Sequence, residues 1–420
     1  MDKFVINGGK KLSGEVEISG AKNASLALMP ASLLTGGTSV LKNTPELNDV
    51  FTMIKLLNYL GVQTEFKDHI LTLNTGNIVS QDAPYEHVKK MRASVYVLGP
   101  LVSRFGKAKV SLPGGCAWGP RPINLHLEGL KKMGAEIDLI GGYIIAKARK
   151  LHGAKINFDI SSVGATGNIL MASVLAKGVT IINNAAMEPE IANLAVFLKK
   201  MGARIEGIGT SSLTIEGVDE LKPVEIDTIP DRIEAGTLLI AVAITGGNIK
   251  IKISPDYVNA ILSKLEDSGC NIILNNNVIN LSAAENGIIP TDAVTSIFPG
   301  FPTDMQAQWT AYMTLANGVS TVTDSIYIDR FKHVPELMRL GADITVNENS
   351  AVIKGVKKLT GAKVMSTDLR ASAGLVLAGL ATEGKTEVLR VYHLYRGYQR
   401  IEEKLQKLGA DIQRVAGTEY

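Results

Sequence analysis

The sequence is poor in cysteine, aromatic residues and net charge, and each shortage excludes a class of protein. The two cysteines among 420 residues, Cys116 and Cys270, cannot build a disulfide framework and are interpreted as free thiols. The six histidines show no zinc-ligand spacing, so no metal is expected. With 5% aromatic residues and a formal net charge of +3, the composition does not favour binding to nucleic acid or to a membrane surface.

Long apolar runs are also missing. No stretch reaches the roughly 18 apolar residues that a membrane-spanning helix requires. The first residues, MDKFVINGGKKLSG, lack the apolar segment of a secretory signal, so we expect a cytoplasmic chain. The balance of 45% hydrophobic and 20% charged residues is that of an ordinary globular protein, and the length predicts two or three domains.

A six-fold internal repeat organises the chain. Six segments share an apolar residue, a glycine, a small residue and an alternating polar and apolar run, and their glycines lie 67 to 73 residues apart. A fixed period of this length indicates a repeat architecture. The segments are YLGVQTEF, KMGAEIDL, KMGARIEG, DSGCNIIL, RLGADITV and KLGADIQR, with glycines Gly61, Gly134, Gly202, Gly269, Gly341 and Gly409.

A second glycine marks the same units. It follows an apolar helix, where a left-handed helix cap is expected, and precedes a short alternating strand. Several of these helices are apolar nearly all round and are predicted to be buried, whereas the helix before each glycine of the first set is amphipathic and is predicted to lie outside. The second set is Gly37, Gly106, Gly178, Gly247, Gly318 and Gly384.

These patterns predict an α/β fold in two domains of three units each. A unit supplies a buried helix, a strand, an outer helix and further strands, so each domain should have helices at its centre and sheets around them. We expect domain one to span residues 22–229. Domain two should combine residues 1–21 with 230–420, because the N-terminal strands can close the last unit.

The starts of the buried helices carry cations. A helix start has unpaired N–H groups and a partial positive charge, so it favours anions, and a lysine or arginine there needs a compensating partner. If the helix starts of both domains face one cleft, a ligand with several phosphates, or with a phosphate and a carboxylate, would suit them. The alternative is that each cation is a solvated surface charge. The residues are Lys22, Arg92, Arg232 and Arg370, with Arg121 and Arg396 in neighbouring segments.

Ten segments, in order along the whole chain, closely resemble the enolpyruvyl transferases that act on UDP-N-acetylglucosamine. The resemblance implies the two-domain inside-out α/β barrel of that family. It also implies transfer of the enolpyruvyl group of phosphoenolpyruvate to the sugar 3-hydroxyl, the first committed step of peptidoglycan synthesis. No cofactor, metal or obligate protein partner is implied. The segments are GAKN, MRAS, PGGCAWGPRPINLH, SSVGAT, AAMEPEI, PDRIEAGT, FPTDMQAQ, RFKHVPEL, TDLRASAGLVLAG and RGYQRIEEKLQKLGA.

The resemblance assigns the acid and the base of the reaction. Cys116 takes the position of the family's proton donor, in a loop that closes over the substrates, and of the residue that fosfomycin modifies. Asp304 takes the position of the general base, although a predicted helix start would stabilise its carboxylate and weaken it as a base. Asp304 could therefore orient the hydroxyl, or could serve only as a helix-start carboxylate.

The resemblance also implies the substrate-binding positions. Lys22, Arg121 and Arg396 match those that hold the phosphate or carboxylate of phosphoenolpyruvate, with Arg370 beside them. Many family members have Asp at Asn124 and some have Lys at Ile160, so the nucleotide contacts here differ in chemistry. The full set is Lys22, Asn23, Arg92, Arg121, Pro122, Ile123, Asn124, Leu125, Ile160, Ser161, Ser162, Val163, Gly164, Asp304, Ile326, Arg370 and Arg396.

Two other functions compete with this one. An enolpyruvyl transferase of the shikimate pathway shares the architecture and the donor chemistry, but the PGGCAWGPRP and SSVGAT stretches argue against it. A catalytically idle scaffold or an RNA-binding array would need a basic outer stripe with interleaved aromatic residues, which the composition does not supply. His126 and His393 lie near matched segments and are assigned no catalytic role.

Replacement of Cys116 by serine tests the proton-donor assignment. Cys116→Ser should abolish thiol labelling within residues 113–122 and greatly reduce turnover, because a hydroxyl is a far weaker acid than a thiol. Labelling is read by mass spectrometry of the alkylated chain, with Cys270→Ser as the matched control. An unchanged turnover rate would remove Cys116 from the mechanism.

Overall fold

A computed structural model of the chain describes residues 2–89, 91–112 and 123–416. The chain divides into two compact units. The central unit is Gly20–Ile229, and the terminal unit combines Met1–Ser19 with Pro230–Tyr420. Each unit holds three of the repeats around an apolar core of its own.

Every helix that the repeat pattern predicts is present. In the part of the chain that the structure describes, four short 3₁₀ turns adjoin them at Ser32–Leu34, Arg92–Val97, Thr303–Met305 and Val391–Arg396. The helices of the described residues are α1 (Lys22–Ala31), α2 (Asn48–Leu60), α3 (Tyr85–Val88), α4 (Leu98–Phe105), α5 (Asn124–Lys132), α6 (Val163–Ser173), α7 (Pro189–Lys200), α8 (Arg232–Thr245), α9 (Pro255–Asp267), α10 (Gln306–Met313), α11 (Val334–Arg339), α12 (Leu369–Ala381) and α13 (Ile401–Lys407).

The helices separate into a buried and an outer set, as the sequence predicts. In α10 every residue is buried, including the polar Gln306 and Gln308. In α2 a single face is buried, through residues such as Val50, Met53 and Leu57, which is the spacing of an amphipathic helix. None of the described helices has the length and apolarity needed to cross a bilayer.

The strands form one four-stranded sheet for each repeat and one small two-stranded sheet. The strands of the described residues are β1 (Lys3–Asn7), β2 (Ser13–Glu15), β3 (Thr38–Lys42), β4 (Gln63–Lys67), β5 (Ile70–Asn74), β6 (Asp82–Ala83), β7 (Lys107–Ser111), β8 (Glu136–Ile140), β9 (Tyr143–Lys147), β10 (Lys155–Asn157), β11 (Val179–Asn183), β12 (Arg204–Glu206), β13 (Ser212–Glu216), β14 (Glu225–Asp227), β15 (Asn248–Lys252), β16 (Asn271–Asn275), β17 (Val278–Ser282), β18 (Ala293–Val294), β19 (Val319–Thr323), β20 (Asp343–Asn347), β21 (Ser350–Lys354), β22 (Leu359–Thr360), β23 (Lys363–Met365), β24 (Thr382–Glu383), β25 (Lys385–Leu389) and β26 (Asp411–Val415).

The four-stranded sheets share one topology, with a short parallel strand at one edge and antiparallel pairing beyond it. The central unit has the orders β14-β3-β5-β4, β6-β7-β9-β8 and β10-β11-β13-β12. The terminal unit has β2-β15-β17-β16, β18-β19-β21-β20 and β23-β25-β1-β26. Facing residues such as Leu41 and Leu71 are fully buried, so one face of each sheet packs on the core of its unit.

One hydrogen bond recurs in all six repeats and shows how the last repeat is completed. The residue that follows the third strand of a repeat donates its N–H to the glycine carbonyl before the first strand. In the sixth repeat the donor is Gly8, which follows β1, so the N-terminal strand takes the place of the third strand. The donor and acceptor pairs are Thr75 and Gly37 (2.9 Å), Ala148 and Gly106 (2.9 Å), Gly217 and Gly178 (3.0 Å), Ala283 and Gly247 (2.9 Å), Gly355 and Gly318 (2.8 Å), and Gly8 and Gly384 (3.1 Å).

In the first and fourth repeats the parallel edge strand is not the strand that directly precedes the buried helix of the same repeat. β2 precedes α1 in the chain but pairs with β15, which follows α8. β14 precedes α8 but pairs with β3, which follows α1. Each unit is therefore closed by a strand from the chain segment that leads into the other unit.

The glycine pattern is confirmed in part. All six glycines of the first set have positive φ, between 91° and 111°. The prediction that the second set caps the buried helices is wrong for most of them. Only Gly106 does so, after α4, and in the fourth repeat the cap of α8 is Gly246 instead of Gly247. Elsewhere the helix ends earlier and further residues intervene, so that Gly178 lies five residues after the last residue of α6.

Close backbone packing at the repeat junction predicts intolerance of a single methyl group. A Cβ atom at Gly217 would lie 1.6 Å from the carbonyl oxygen of Ala176, so Gly217→Ala must displace backbone and should destabilise the chain by about 1–3 kcal/mol. At Gly76 the nearest atom, a side-chain oxygen of Asn74, is 3.2 Å away, which makes Gly76→Ala the matched control. Urea unfolding measures both. Equal midpoints for the two variants would contradict this account.

Candidate active site

The three buried helices of the terminal unit begin close together and carry charged side chains. Asp231 caps α8 by accepting hydrogen bonds from the backbone N–H groups of its first turn, and Asp368 caps α12 in the same way. Burial would lower the pKa of Arg370, but Asp304 raises it, and Asp231 adds to that effect. The arginine in α12 is therefore close to the starts of both α8 and α10.

Asp304 lies between two buried guanidinium groups. Its Oδ1 is 2.8 Å from Nη2 of Arg330, and its Oδ2 is 2.7 Å from Nη2 of Arg370. The two arginine side chains are 8% and 5% exposed, whereas that of Asp304 is 27% exposed. The carboxylate is therefore the shared counter-charge of two largely buried cations, while part of it remains exposed.

The ion pairs keep Asp304 ionised. Burial alone would raise its pKa, but the charges and hydrogen bonds of Arg370 and Arg330 outweigh burial and hold the pKa well below its ordinary value. The N-cap residue of this 3₁₀ turn is Pro302, and the Asp304 carboxylate instead accepts from Arg330 and Arg370, so the helix-cap interpretation does not describe its contacts. A carboxylate held in this way is a strong hydrogen-bond acceptor and a weak base.

In the central unit the first residue of α1 is compensated by an acid from the next helix. Nζ of Lys22 lies 2.9 Å from Oδ2 of Asp49, which belongs to the first turn of α2. The two side chains are 13% and 6% exposed. This carboxylate is the partner that a cation at a helix start requires.

A second group of central-unit residues lies where α6 begins. Ser162 caps α6 by accepting from the N–H of Ala165 at 3.3 Å. A Cβ atom at Gly164 would lie 3.1 Å from the ring of His126, which belongs to α5. Burial, and then the charge of Arg92, lower the pKa of His126 to about 4. The starts of α5, α6 and the Arg92–Val97 turn are thus neighbours.

His126 is neutral and has a defined tautomer. Its Nδ1 is 2.9 Å from the side-chain nitrogen of Asn168, which can only donate. The ring proton is therefore on Nε2, the nitrogen that lies near Gly164.

The remaining predicted residues differ in exposure. Asn23, Arg92, Ile123, Leu125, Arg396 and the residues 161–164 are half-buried, whereas Asn124 is exposed. Ile160 is 71% exposed, and Ile326 is 36% exposed. Arg396 ends the 3₁₀ turn Val391–Arg396, which packs on α12. Cys116, Arg121 and Pro122 lie outside the described residues.

Sequence reasoning missed two charged partners. Arg330 belongs to a segment that was matched, RFKHVPEL, but a buried arginine has no sequence signature because arginine is mostly exposed. Asp49 in PELND was not singled out, because an acid in the first turn of a helix ordinarily only balances the helix dipole.

Comparisons with known proteins cover the whole chain. A family model described as EPSP synthase (3-phosphoshikimate 1-carboxyvinyltransferase) matches residues 6–405. The UDP-N-acetylglucosamine 1-carboxyvinyltransferase of Chloroherpeton thalassium is 59% identical over 424 residues, which is 100% of this chain and 99% of that protein. The protein of the same name from Myxococcus xanthus is 54% identical over 418 residues, 99% of each chain.

Solved structures are also similar over their full length. The enolpyruvyl transferase NikO from Streptomyces tendae has a TM-score of 0.88 at 25% identity, with 99% of each chain covered. An EPSP synthase from Acinetobacter baumannii has a TM-score of 0.74 at 18% identity, with 99% of this chain and 100% of that chain covered.

The ion pairs of Asp304 should contribute to stability. Asp304→Asn leaves two buried guanidinium groups without a counter-charge and should lower the free energy of unfolding by about 3 kcal/mol at pH 7.5. The difference from the parent chain is measured by urea unfolding, with the exposed Asp343→Asn as control.

The pH dependence of this difference follows from the depressed pKa. The folded chain holds Asp304 ionised, so the contribution is complete above the unfolded pKa of about 3.9 and is lost as pH falls further towards the folded pKa. The difference in the free energy of unfolding between Asp304→Asn and the parent chain should be constant from pH 8 to 5. Equal stability of the two chains at pH 7.5 would show that the ion pairs contribute nothing.

Proposed function

The chain belongs to the family of the UDP-N-acetylglucosamine 1-carboxyvinyltransferases, and we propose that it transfers the enolpyruvyl group of phosphoenolpyruvate to the 3-hydroxyl of UDP-N-acetylglucosamine with release of phosphate. The observation that carries this proposal is the 59% identity to such an enzyme over 100% of the chain. The similarity to solved enolpyruvyl transferases confirms the predicted α/β fold, the two-domain inside-out barrel. The product would serve peptidoglycan synthesis.

The comparisons favour the nucleotide sugar as acceptor over shikimate 3-phosphate. The matching family model carries the name of the shikimate enzyme. However, the EPSP synthase from A. baumannii is only 18% identical to this chain, so that similarity shows the fold alone. The relatives at 54% to 59% identity all carry the nucleotide-sugar name. The shared model therefore reflects common donor chemistry.

The reaction is an addition followed by an elimination. The sugar oxygen forms a bond to C2 of phosphoenolpyruvate while the C2–C3 double bond takes up a proton at C3. The tetrahedral ketal then loses a proton from C3 and its C2–O bond to phosphate breaks, which restores the double bond. The sugar hydroxyl loses one proton overall, and inorganic phosphate leaves.

Asp304 is assigned as the residue that binds the 3-hydroxyl of the sugar. Because Arg330 and Arg370 keep its carboxylate ionised, we assign it first the role of hydrogen-bond acceptor that orients the hydroxyl towards C2. A weak base can accept the proton only once the new C–O bond makes the oxygen acidic. Proton transfer to Asp304 is therefore placed late in the addition step.

The phosphate and carboxylate of phosphoenolpyruvate are assigned to Lys22, Arg396, Arg370 and Arg121, with Asn23 at the junction of the substrates. Cationic side chains at helix starts add their charge to that of the backbone N–H groups, which suits a trianionic ligand. The described cations of this set are buried or half-buried, which raises their effect on an anion.

We assign the binding of the nucleotide sugar to the central-unit residues near the start of α6. The backbone N–H groups of Val163 and Gly164 are in the first turn of α6, where a helix supplies no partner of its own, and we assign them as donors to a diphosphate or a uracil edge. Ile160 can offer only its backbone and apolar surface. The remaining members are Arg92, Arg121, Pro122, Ile123, Asn124, Leu125, Ser161, Ser162 and Ile326.

Cys116 is assigned as the acid that protonates C3 and as the site of covalent inhibition. As the resemblance implies, the reaction is placed in the cytoplasm and needs no cofactor and no obligate protein partner.

A phosphate-release assay tests the function. Phosphate should appear from phosphoenolpyruvate with UDP-N-acetylglucosamine and not with shikimate 3-phosphate. Treatment with iodoacetamide should stop the reaction in the parent chain and in Cys270→Ser, because the Cys270 thiol is buried. Release with shikimate 3-phosphate alone would replace this proposal by the shikimate one, and release with neither acceptor would end it.

A further inference from the structure

A chain of hydrogen bonds joins Ile326 to the Asp304 ion pair through a fully buried carboxylate. Asp324 is 0% exposed and follows β19, while Thr295 follows the parallel strand β18. Val294 pairs with Thr323 in the register of these strands, so Thr295 and Asp324 leave the sheet side by side.

One oxygen of Asp324 holds the loop that carries Ile326. Its Oδ1 accepts from the backbone N–H groups of Ile326 at 3.0 Å and Tyr327 at 2.9 Å, and from the hydroxyl of Thr295 at 2.8 Å. Both loop N–H groups thus depend on a single side-chain atom. Removal of this atom would take from both N–H groups their shared acceptor and free the loop to move.

The other oxygen leads to Asp304. Oδ2 of Asp324 accepts from the hydroxyl of Thr303 at 2.7 Å, and that hydroxyl accepts from Nη1 of Arg330 at 2.8 Å. Nη2 of Arg330 donates to Asp304 at 2.8 Å. The hydroxyl has one hydrogen, so the order of donors is fixed: guanidinium to hydroxyl, and hydroxyl to carboxylate.

We propose that Asp324 is a positioning residue that holds the acceptor-binding loop of Ile326 and, through Thr303, sets Arg330 against Asp304. This inference rests on the proposed function, which assigns Ile326 and Asp304 to the nucleotide sugar. The Asp324 carboxylate then positions the loop that binds UDP-N-acetylglucosamine. Through Thr303 and Arg330 it also positions Asp304, which orients the sugar hydroxyl. Its two oxygens serve the two tasks separately.

The two tasks can be separated by substitution. In Asp324→Asn the amide oxygen can still accept the loop N–H groups, but the amide nitrogen must face Thr303, whose hydrogen then loses its acceptor. Thr303→Val removes the same link from the other side, and Thr303→Ser retains it. Asp324→Ala removes both links.

Steady-state kinetics, measured by phosphate release, distinguish loss of the Thr303 link from loss of both links. Asp324→Asn and Thr303→Val should lower kcat about tenfold with KM for UDP-N-acetylglucosamine within about twofold of the parent. Asp324→Ala should lower kcat and also raise this KM about tenfold. Thr303→Ser and the exposed Asp292→Asn should behave like the parent. A purely structural role would instead lower thermal stability without splitting kcat from KM.

Hydrogen exchange keeps the inference testable independently of turnover. The amides of residues 325–327 should exchange faster in Asp324→Ala and at the parental rate in Asp324→Asn. Parental kcat in both Asp324→Asn and Thr303→Val, or parental exchange in Asp324→Ala, would overturn the inference. A parent chain that releases no phosphate would refute the proposed function, and the exchange result would still decide whether Asp324 holds the loop.

Discussion

The ion pairs of Asp304 with Arg330 and Arg370 are the interaction on which the candidate site depends. A buried guanidinium group without a counter-charge is strongly unfavourable, so an ionised Asp304 stabilises the two arginines in their buried positions. The same contacts lower the pKa of Asp304 and so limit the chemistry that it can do. Folding stability and the protonation state of the site are thus set by one group of contacts.

The rule that a cation at a helix start needs a partner holds in both units. In the central unit Asp49 compensates Lys22. In the terminal unit the cap residues Asp231 and Asp368 supply the negative charge that the start of a helix favours, next to the positive side chains that follow them. The starts of α1, α8 and α12 therefore each hold a lysine or an arginine near a carboxylate that compensates it.

The repeat architecture supplies the places where these charges meet. Each repeat contributes one buried helix and one sheet, and the recurring hydrogen bond after the third strand fixes how they join. The N-terminal strand β1 completes the sixth repeat by pairing with β25 and β26. The N–H of Val391 donates to the carbonyl of Asp2 at 3.3 Å, so the first residues of the chain also support the turn that ends at Arg396.

The sequence alone determined what depends on local pattern. Hydrophobic periodicity gave the buried and outer helices, and the spacing of glycines gave the six repeats, because both report how a short segment meets the core. Motifs gave the family and the candidate site residues, including Asp304 and Lys22. Arg330, which is 26 residues from Asp304, and Asp49, which is 27 residues from Lys22, were not predicted as partners.

Only the tertiary structure decided those pairings, along with the link through Asp324 and the glycine that caps α8. An ion pair or a hydrogen bond exists only at a particular distance, and for residues far apart in sequence that distance is set by the packing of several elements at once. A local sequence pattern does not determine that distance.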